Sequence, residues 1–353
     1  MNLSINETEP SQSAVGFYIY AVQGLTLMLS NGLIVATIWR HKQLHTKKEY
    51  TMVAALCLAD FYSACGYFSA GLYRSWVVHT NRVNTLVSSL YCVVVPHNLF
   101  FMVGEILACS MLACISIDRF ICVSFPLFYF GLSKSYSVRL ASLFYGFSFG
   151  FGLVNALAVL LLKSNAAEHS AICWMGAAFA SEALRKANSL LVLFFAYLSV
   201  LVYVAVVVVY KRKLASTVQP YVPPHLKAQE EKNQNKMVKT IGLSTLFTFI
   251  FQILGNHAIY FVICCVPPKY EALAWPVIDG YKNLNPFMNL FLFAIRHRDM
   301  RLGMKMLLKG ETFSESEGEE PGLFIKRTNK TNDEPNRDDA HKNQGACPLP
   351  SVE

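Results

Sequence analysis

Several ionisable and amide side chains stand inside stretches otherwise suited only to lipid. Asp60 sits within Leu56-Cys57-Leu58-Ala59-Asp60-Phe61, Glu105 is in the middle of a long apolar run, and Asp279, Lys282, Asn283, Asn285 and Asn289 crowd the last one. Such groups are costly in hydrocarbon and therefore mark ion paths, ligand contacts or switches. Asp60 with Asn31, Asn285 and Asn289 can form a polar centre for a hydrated cation or water; hydrogen bonding between helices is the plainer use of the same residues. Thirteen residues, roughly 20 Å of helix, separate Glu105 from Asp118, which puts Glu105 in the outer half of the bilayer if Asp118 marks the inner surface. His97 and Phe101 precede Glu105 on nearly one helix face. With Asn256, His257, Asp279 and Lys282 they can line a pocket open to the outside, although Asp279 and Lys282, three apart, can equally neutralise each other. The adjacent Asp118 and Arg119 suit a pairing that is broken and remade when a helix moves; anchoring at the inner face is the simpler alternative.

None of these groupings matches a catalytic motif. His41 and His45 have the i, i+4 spacing of metal ligands, but they lack an intervening Glu and sit in a basic segment, which reads as surface. The 353 residues are 54% hydrophobic and only 15% charged, against about 25% charged in soluble domains. The formal net charge of +8 does not indicate nucleic acid, because the basic residues lie at the ends of apolar runs.

The elements that must position these residues are transmembrane helices, each needing roughly 20 apolar residues. Seven runs qualify: Val15 to Trp39, Tyr50 to Tyr73, Tyr91 to Val123, Val138 to Leu162, Ala187 to Tyr210, Val238 to Val266 and Ala272 to Ile295. Basic residues gather between Arg40 and Lys48, Arg119 and Arg139, Lys211 and Lys239, and Arg296 and Lys309. The opposite loops carry only Arg74, Arg82, Lys163, Arg185, Lys186 and Lys269. By the positive-inside rule the amino terminus is extracellular and the carboxyl terminus cytosolic. Asn2-Leu3-Ser4 and Asn6-Glu7-Thr8 are glycosylation sequons on the outer side. Asn329-Lys330-Thr331 falls in the cytosol and reads as accidental. No cleavage signal precedes the first run, which reads as an uncleaved signal anchor.

The expected organisation is an extracellular segment 1–14, a bundle 15–295, an amphipathic helix 296–309 at the inner headgroups and a disordered acidic tail 310–353. Met300, Met304, Leu307 and Leu308 recur at helical spacing among basic residues in that helix. Thr312, Ser314 and Ser316 stand among glutamates and read either as a solvated tail or as a phosphorylation cluster. Of ten cysteines, Cys92 and Cys173 lie toward the oxidising side, where a disulfide is plausible; Cys264 and Cys265 are nearby competitors. Pro220, Pro223 and Pro224 break the long inner loop.

Taken in order, these residues resemble a rhodopsin-like G-protein-coupled receptor from Val15 to about Leu308. The resemblance is carried by Asn31, Leu58-Ala59-Asp60, Ser116-Ile117-Asp118-Arg119-Phe120, Pro126 and Asn285-Pro286-Phe287-Met288-Asn289, followed by the amphipathic helix. The chain departs from the family pattern at several points. Phe120 and Asn289 replace tyrosines, the fourth span lacks its tryptophan and the fifth its proline. Phe251-Gln252-Ile253 replaces Trp-x-Pro, and Cys92 lies about two residues farther from Arg119 than is usual. The run Ile115 to Pro126 looks most like nematode serpentine chemoreceptors of the Srsx type.

The resemblance implies an all-α membrane protein, a seven-transmembrane helix bundle with a short amphipathic helix after the seventh span. Asp60, Asn31, Asn285 and Asn289 would form a sodium and water centre. Asp118, Arg119, Asn285 and Pro286 would form the activation switch, released as the sixth helix swings outward to admit a heterotrimeric G protein. A phosphorylated tail would engage arrestin. The ligand would be a small chemosensory molecule or a peptide. Two rivals compete: a transporter or channel using Glu105, Asp60 and Lys282 as a polar pathway, disfavoured by the lack of internal repeats, and an opsin, disfavoured because Lys282 lies one turn too near Asn285.

Overall fold

The computed structural model describes residues 10–163, 166–216, 243, 246–265, 277–296 and 298–309. Asn2, Asn6, the side chain of Asn289, and the tail with Thr312, Ser314 and Ser316 lie outside the described residues.

The chain folds as an all-α membrane bundle. Long helices run Pro10–Arg40, Lys48–His79, Pro96–Ser124, Lys134–Leu162 and Glu182–Ser216. Each of these five is long and apolar enough to cross a membrane. A sixth is described over Thr248–Ile253 and Leu254–Cys265, and a seventh over 277–282 and Leu284–Arg296. They are the first to seventh spans in chain order. Helices are the solution the sequence demands, because a backbone in hydrocarbon must satisfy its own hydrogen bonds.

The third span is the axis of the bundle. Within its apolar stretch 72% of the residues are buried, against 22% for the fourth span. The fourth span therefore faces mainly outward, toward lipid, and the third carries the polar residues that need protein around them. The first and second spans touch through backbone: a Cβ on Gly71 would run into Ala21 and the carbonyl of Phe17, so only glycine permits the contact.

The expected third run from Tyr91 is two helices. Ser89–Val94 starts on the Ser88 hydroxyl, which accepts from the Tyr91 amide at 3.2 Å. Val95 is extended and the third span begins at Pro96. A residue before proline avoids helical backbone, so Pro96 encodes the break.

On the same side, β1 (Leu86–Ser88) pairs antiparallel with β2 (Ala167–Ser170). Beyond β2 the chain passes Cys173 and a short 3₁₀ turn, Met175–Ala178, before the fifth span. Cys92 and Cys173 form a disulfide with Cα atoms 5.1 Å apart.

Two sequence expectations are corrected here. Arg74, expected in an outer loop, belongs to the second span and is 3% exposed; its long stem lets it sit in the helix and reach the loop above. His41, expected on the surface, is 2% exposed. Its Nε2 lies 3.0 Å from the carbonyl of Gly303, which ties the end of the first span to the helix Arg298–Leu308. His45 is exposed, as expected, beside Lys134 at 3.2 Å. Met300 of that last helix is fully buried against Ile34, Ile38, Leu44, Tyr50 and Cys57, and Met304 is buried too, whereas Leu308 of the expected apolar stripe is 75% exposed.

The sixth span contains a π-helical turn, Thr248–Ile253. This is the segment where Phe251-Gln252-Ile253 stands in place of Trp-x-Pro. A π turn widens the helix and redirects its carbonyls. One of them, that of Ile250, accepts from the Tyr281 hydroxyl at 2.8 Å.

Candidate functional site

Near the end of the third span, Asp118 is fully buried and Arg119 is 5% exposed. The Arg119 guanidinium pairs with the Asp118 carboxylate at 2.9 Å and with Glu49, in the first turn of the second span, at 3.6 Å. The Tyr129 hydroxyl donates to Asp118 at 3.3 Å. Tyr129 belongs to the short helix Pro126–Gly131, and burial pushes its phenol well above the ordinary value, so it remains a donor. Lys48 secures that helix, with its ammonium 3.9 Å from the Tyr129 ring centre and donating to the Leu132 carbonyl at 3.2 Å. Lys213 of the fifth span donates to the carbonyls of Val123 and Ser124, both at 2.8 Å, closing the end of the third span. Sequence reasoning found Asp118 and Arg119 but missed Glu49, Tyr129 and Lys213, because three different elements supply them.

Toward the other side lies a cavity with about 580 Å³ of empty space, its open part included. Asp60, Phe101, Glu105, Lys282, Asn285 and Pro286 all line it, as do Ser63, Tyr67 and Gln252, which the sequence did not single out. Lys282 donates to Glu105 Oε1 at 3.2 Å, joining the seventh span to the third. Asp279 does not take this lysine as its hydrogen-bond partner: its Oδ2 accepts from the Tyr20 hydroxyl at 2.8 Å. Asp279 and Lys282 still act on each other through charge, while their hydrogen bonds go to other helices, that of Asp279 to the first span and that of Lys282 to the third. Gly255 lets the sixth span close on the same lysine; a Cβ there would lie 2.7 Å from Lys282 Cγ.

Around Asp60 the donors are oxygens. The Ser63 hydroxyl lines the cavity without a hydrogen-bond partner, and Asn31 Oδ1 is likewise buried and unpartnered. The Asn31 amide donates to the Leu27 carbonyl at 3.0 Å, and Asn285 Oδ1 accepts from Thr248 at 3.4 Å. Carboxylate, hydroxyl and amide oxygens suit a hard cation or water. Among the described residues no group of three or more His, Cys, Asp or Glu could hold a metal ion.

The remaining expected pocket residues sit elsewhere. His97 is fully buried beneath the loop that carries Cys173, with Nε2 3.3 Å from the Cys173 carbonyl and its ring against Tyr73 and Phe101. Asn98 and Arg74 converge on the same carbonyl at 3.1 and 3.4 Å, and Arg74 also lies 4.5 Å from the Trp174 ring. This trio pins the loop above the bundle. His257 turns to Tyr197 at 3.2 Å and to the Ile253 carbonyl. Asn256 is 6% exposed with its amide nitrogen unpartnered.

Such a bundle, with a paired arginine at one end and a polar cavity toward the other, has clear relatives. The seven-transmembrane receptor family of the rhodopsin type matches residues 30–291. The chain belongs to this rhodopsin family. Two mouse (Mus musculus) proteins are similar over most of its length: olfactory receptor 1J21, 24% identical over 85% of this chain and 92% of its own, and olfactory receptor 1J1, 23% identical over 86% and 92%. As a rhodopsin-family receptor the protein is a multi-pass component of the plasma membrane whose partners are a G protein and a ligand. It is not an enzyme.

Proposed function

We propose that this receptor binds a small extracellular chemosensory molecule, or a peptide, in the cavity beneath the Cys173 loop and activates a cytosolic heterotrimeric G protein. The amino terminus faces outward and the carboxyl terminus the cytosol. Binding favours one of two packings of the bundle. In the other, Arg119 is held by Asp118 and Glu49; as the sixth span swings outward from its π turn, with Asn285 and Pro286 adjusting beside it, the arginine is freed to meet the G protein. The observation that carries this reading is the buried Arg119 pairing at the opposite end from a polar cavity. The similarity to olfactory receptors supports the chemosensory part, while the nematode Srsx likeness rests on Ile115 to Pro126 alone. A sodium ion, if bound, would be held by Asp60, Ser63 and Asn285 and would balance the carboxylate. Phosphorylation at Thr312, Ser314 and Ser316 would recruit arrestin.

The test is nucleotide exchange on purified G proteins of the main classes, with receptor in lipid nanodiscs. Exchange that depends on receptor and disappears in Arg119→Ala, with surface expression unchanged, is the expected result. Absence of receptor-dependent exchange in every class would sink the proposal.

A further inference from the structure

The cavity wall is unevenly charged. Among its described lining residues Asp60 and Glu105 are carboxylates and Lys282 is the one ammonium. A further carboxylate, Asp279, stands one turn before Lys282 on the same helix, and its charge acts on that ammonium. Lys282 therefore has two carboxylates within reach, and its hydrogen bond goes to Glu105.

The two members of this ion pair differ in access. The Lys282 side chain is 5% exposed and that of Glu105 24%. Glu105 spends Oε1 on the lysine, while Oε2 carries no hydrogen bond among the described residues. An anion entering the cavity would have to reach the more deeply buried partner and would strip Glu105 of its counter-charge beside Asp60, a costly outcome in a low-dielectric site. A cation meets the opposite situation: it takes the accessible carboxylate, and the displaced lysine still has Asp279. The wall supplies further support for a cation. Tyr67 and Phe101, 4.9 Å apart edge to face, offer ring faces, and the Ser63 hydroxyl is an acceptor without a partner.

We propose that the cavity takes an organic ammonium ion, its charged nitrogen bound by Glu105 while Lys282 passes to Asp279. The exchange unfastens the seventh span from the third. This signalling consequence rests on the receptor reading above; the binding chemistry does not.

The experiment uses the purified full chain in nanodiscs and three probes of matched length, n-hexylammonium, hexanoate and hexanol, with thermal stabilisation as readout. Saturable stabilisation by hexylammonium alone is expected. Glu105→Gln should weaken half-saturation at least about tenfold, the loss of one charge-assisted hydrogen bond, and by more than Asp60→Asn does. If Glu105→Gln does not fold, the Glu105→Gln/Lys282→Met double variant removes both charges and should lose the response. The proposal is overturned if hexylammonium gives no shift, if hexanoate or hexanol stabilises equally, or if the ammonium response survives without Glu105 or vanishes only with Asp60. G-protein nucleotide exchange is followed in parallel. Stabilisation without exchange overturns the receptor mechanism and leaves the ligand class standing; exchange evoked only by an uncharged odorant does the reverse.

Discussion

Arg119 carries a permanent charge at 5% exposure, a position it can hold only because Asp118 lies 2.9 Å and Glu49 3.6 Å away. Glu49 is half-exposed, so its contribution is a bias rather than a clamp. Glu49→Gln should therefore raise basal nucleotide exchange while leaving expression unchanged; an unaltered basal rate would remove Glu49 from the switch. The ion pair in the cavity is more demanding. Lys282→Met leaves Glu105 without its partner and should cost about 3–5 kcal/mol, seen as a lower Tm, whereas the Glu105→Gln/Lys282→Met double variant should recover most of that loss. Equal destabilisation by both variants would mean that the pair contributes packing rather than charge balance. At this scale the sequence showed that Glu105 and Lys282 were out of place in lipid and that Asp118 and Arg119 stood together at the end of a span. It did not show their partners, because Glu49, Tyr20 and Tyr129 are ordinary residues whose relevance depends on which helix stands beside which.

Elements were legible where the signal is local. Apolar length marked the spans, Pro96 encodes the break at the head of the third, and methionine spacing marked the helix Arg298–Leu308. The attachment of that helix was not legible. His41 lies far from Gly303 in the chain, and its basic neighbours suggest surface. His41→Ala should cost about 1–3 kcal/mol by leaving the Gly303 carbonyl without this bond. It should also raise hydrogen exchange across Arg298–Leu308; unchanged protection there would show that Met300 alone holds the helix. The loop between the fourth and fifth spans is fastened by the Cys92–Cys173 bond across 81 residues. Cys173→Ser should lower stability by about 2–5 kcal/mol, and reducing agent should lower the Tm of the parent protein but not of the variant. The π turn Thr248–Ile253 is the element least visible in sequence. The sequence showed only that Phe251-Gln252-Ile253 replaces Trp-x-Pro; the π turn and the Tyr281 hydroxyl bound to the Ile250 carbonyl were not legible in it.

For the whole molecule, we propose an odd number of crossings with the two ends on opposite sides of the membrane, on the strength of seven apolar runs and a one-sided basic bias. An epitope at the amino terminus should be labelled on intact cells and one at the carboxyl terminus only after permeabilisation; both on one side would overturn the topology. The sequence by itself determined the helices, the membrane and the family resemblance, because hydrophobic length and short motifs are properties of contiguous residues. Tertiary structure alone decided that Lys282 takes Glu105 rather than Asp279, that His97 and Arg74 pin a loop, and that Glu49 joins Arg119. Those choices depend on how helices distant in the chain pack around the third span, where a low dielectric makes every buried charge find a partner from whichever neighbour arrives.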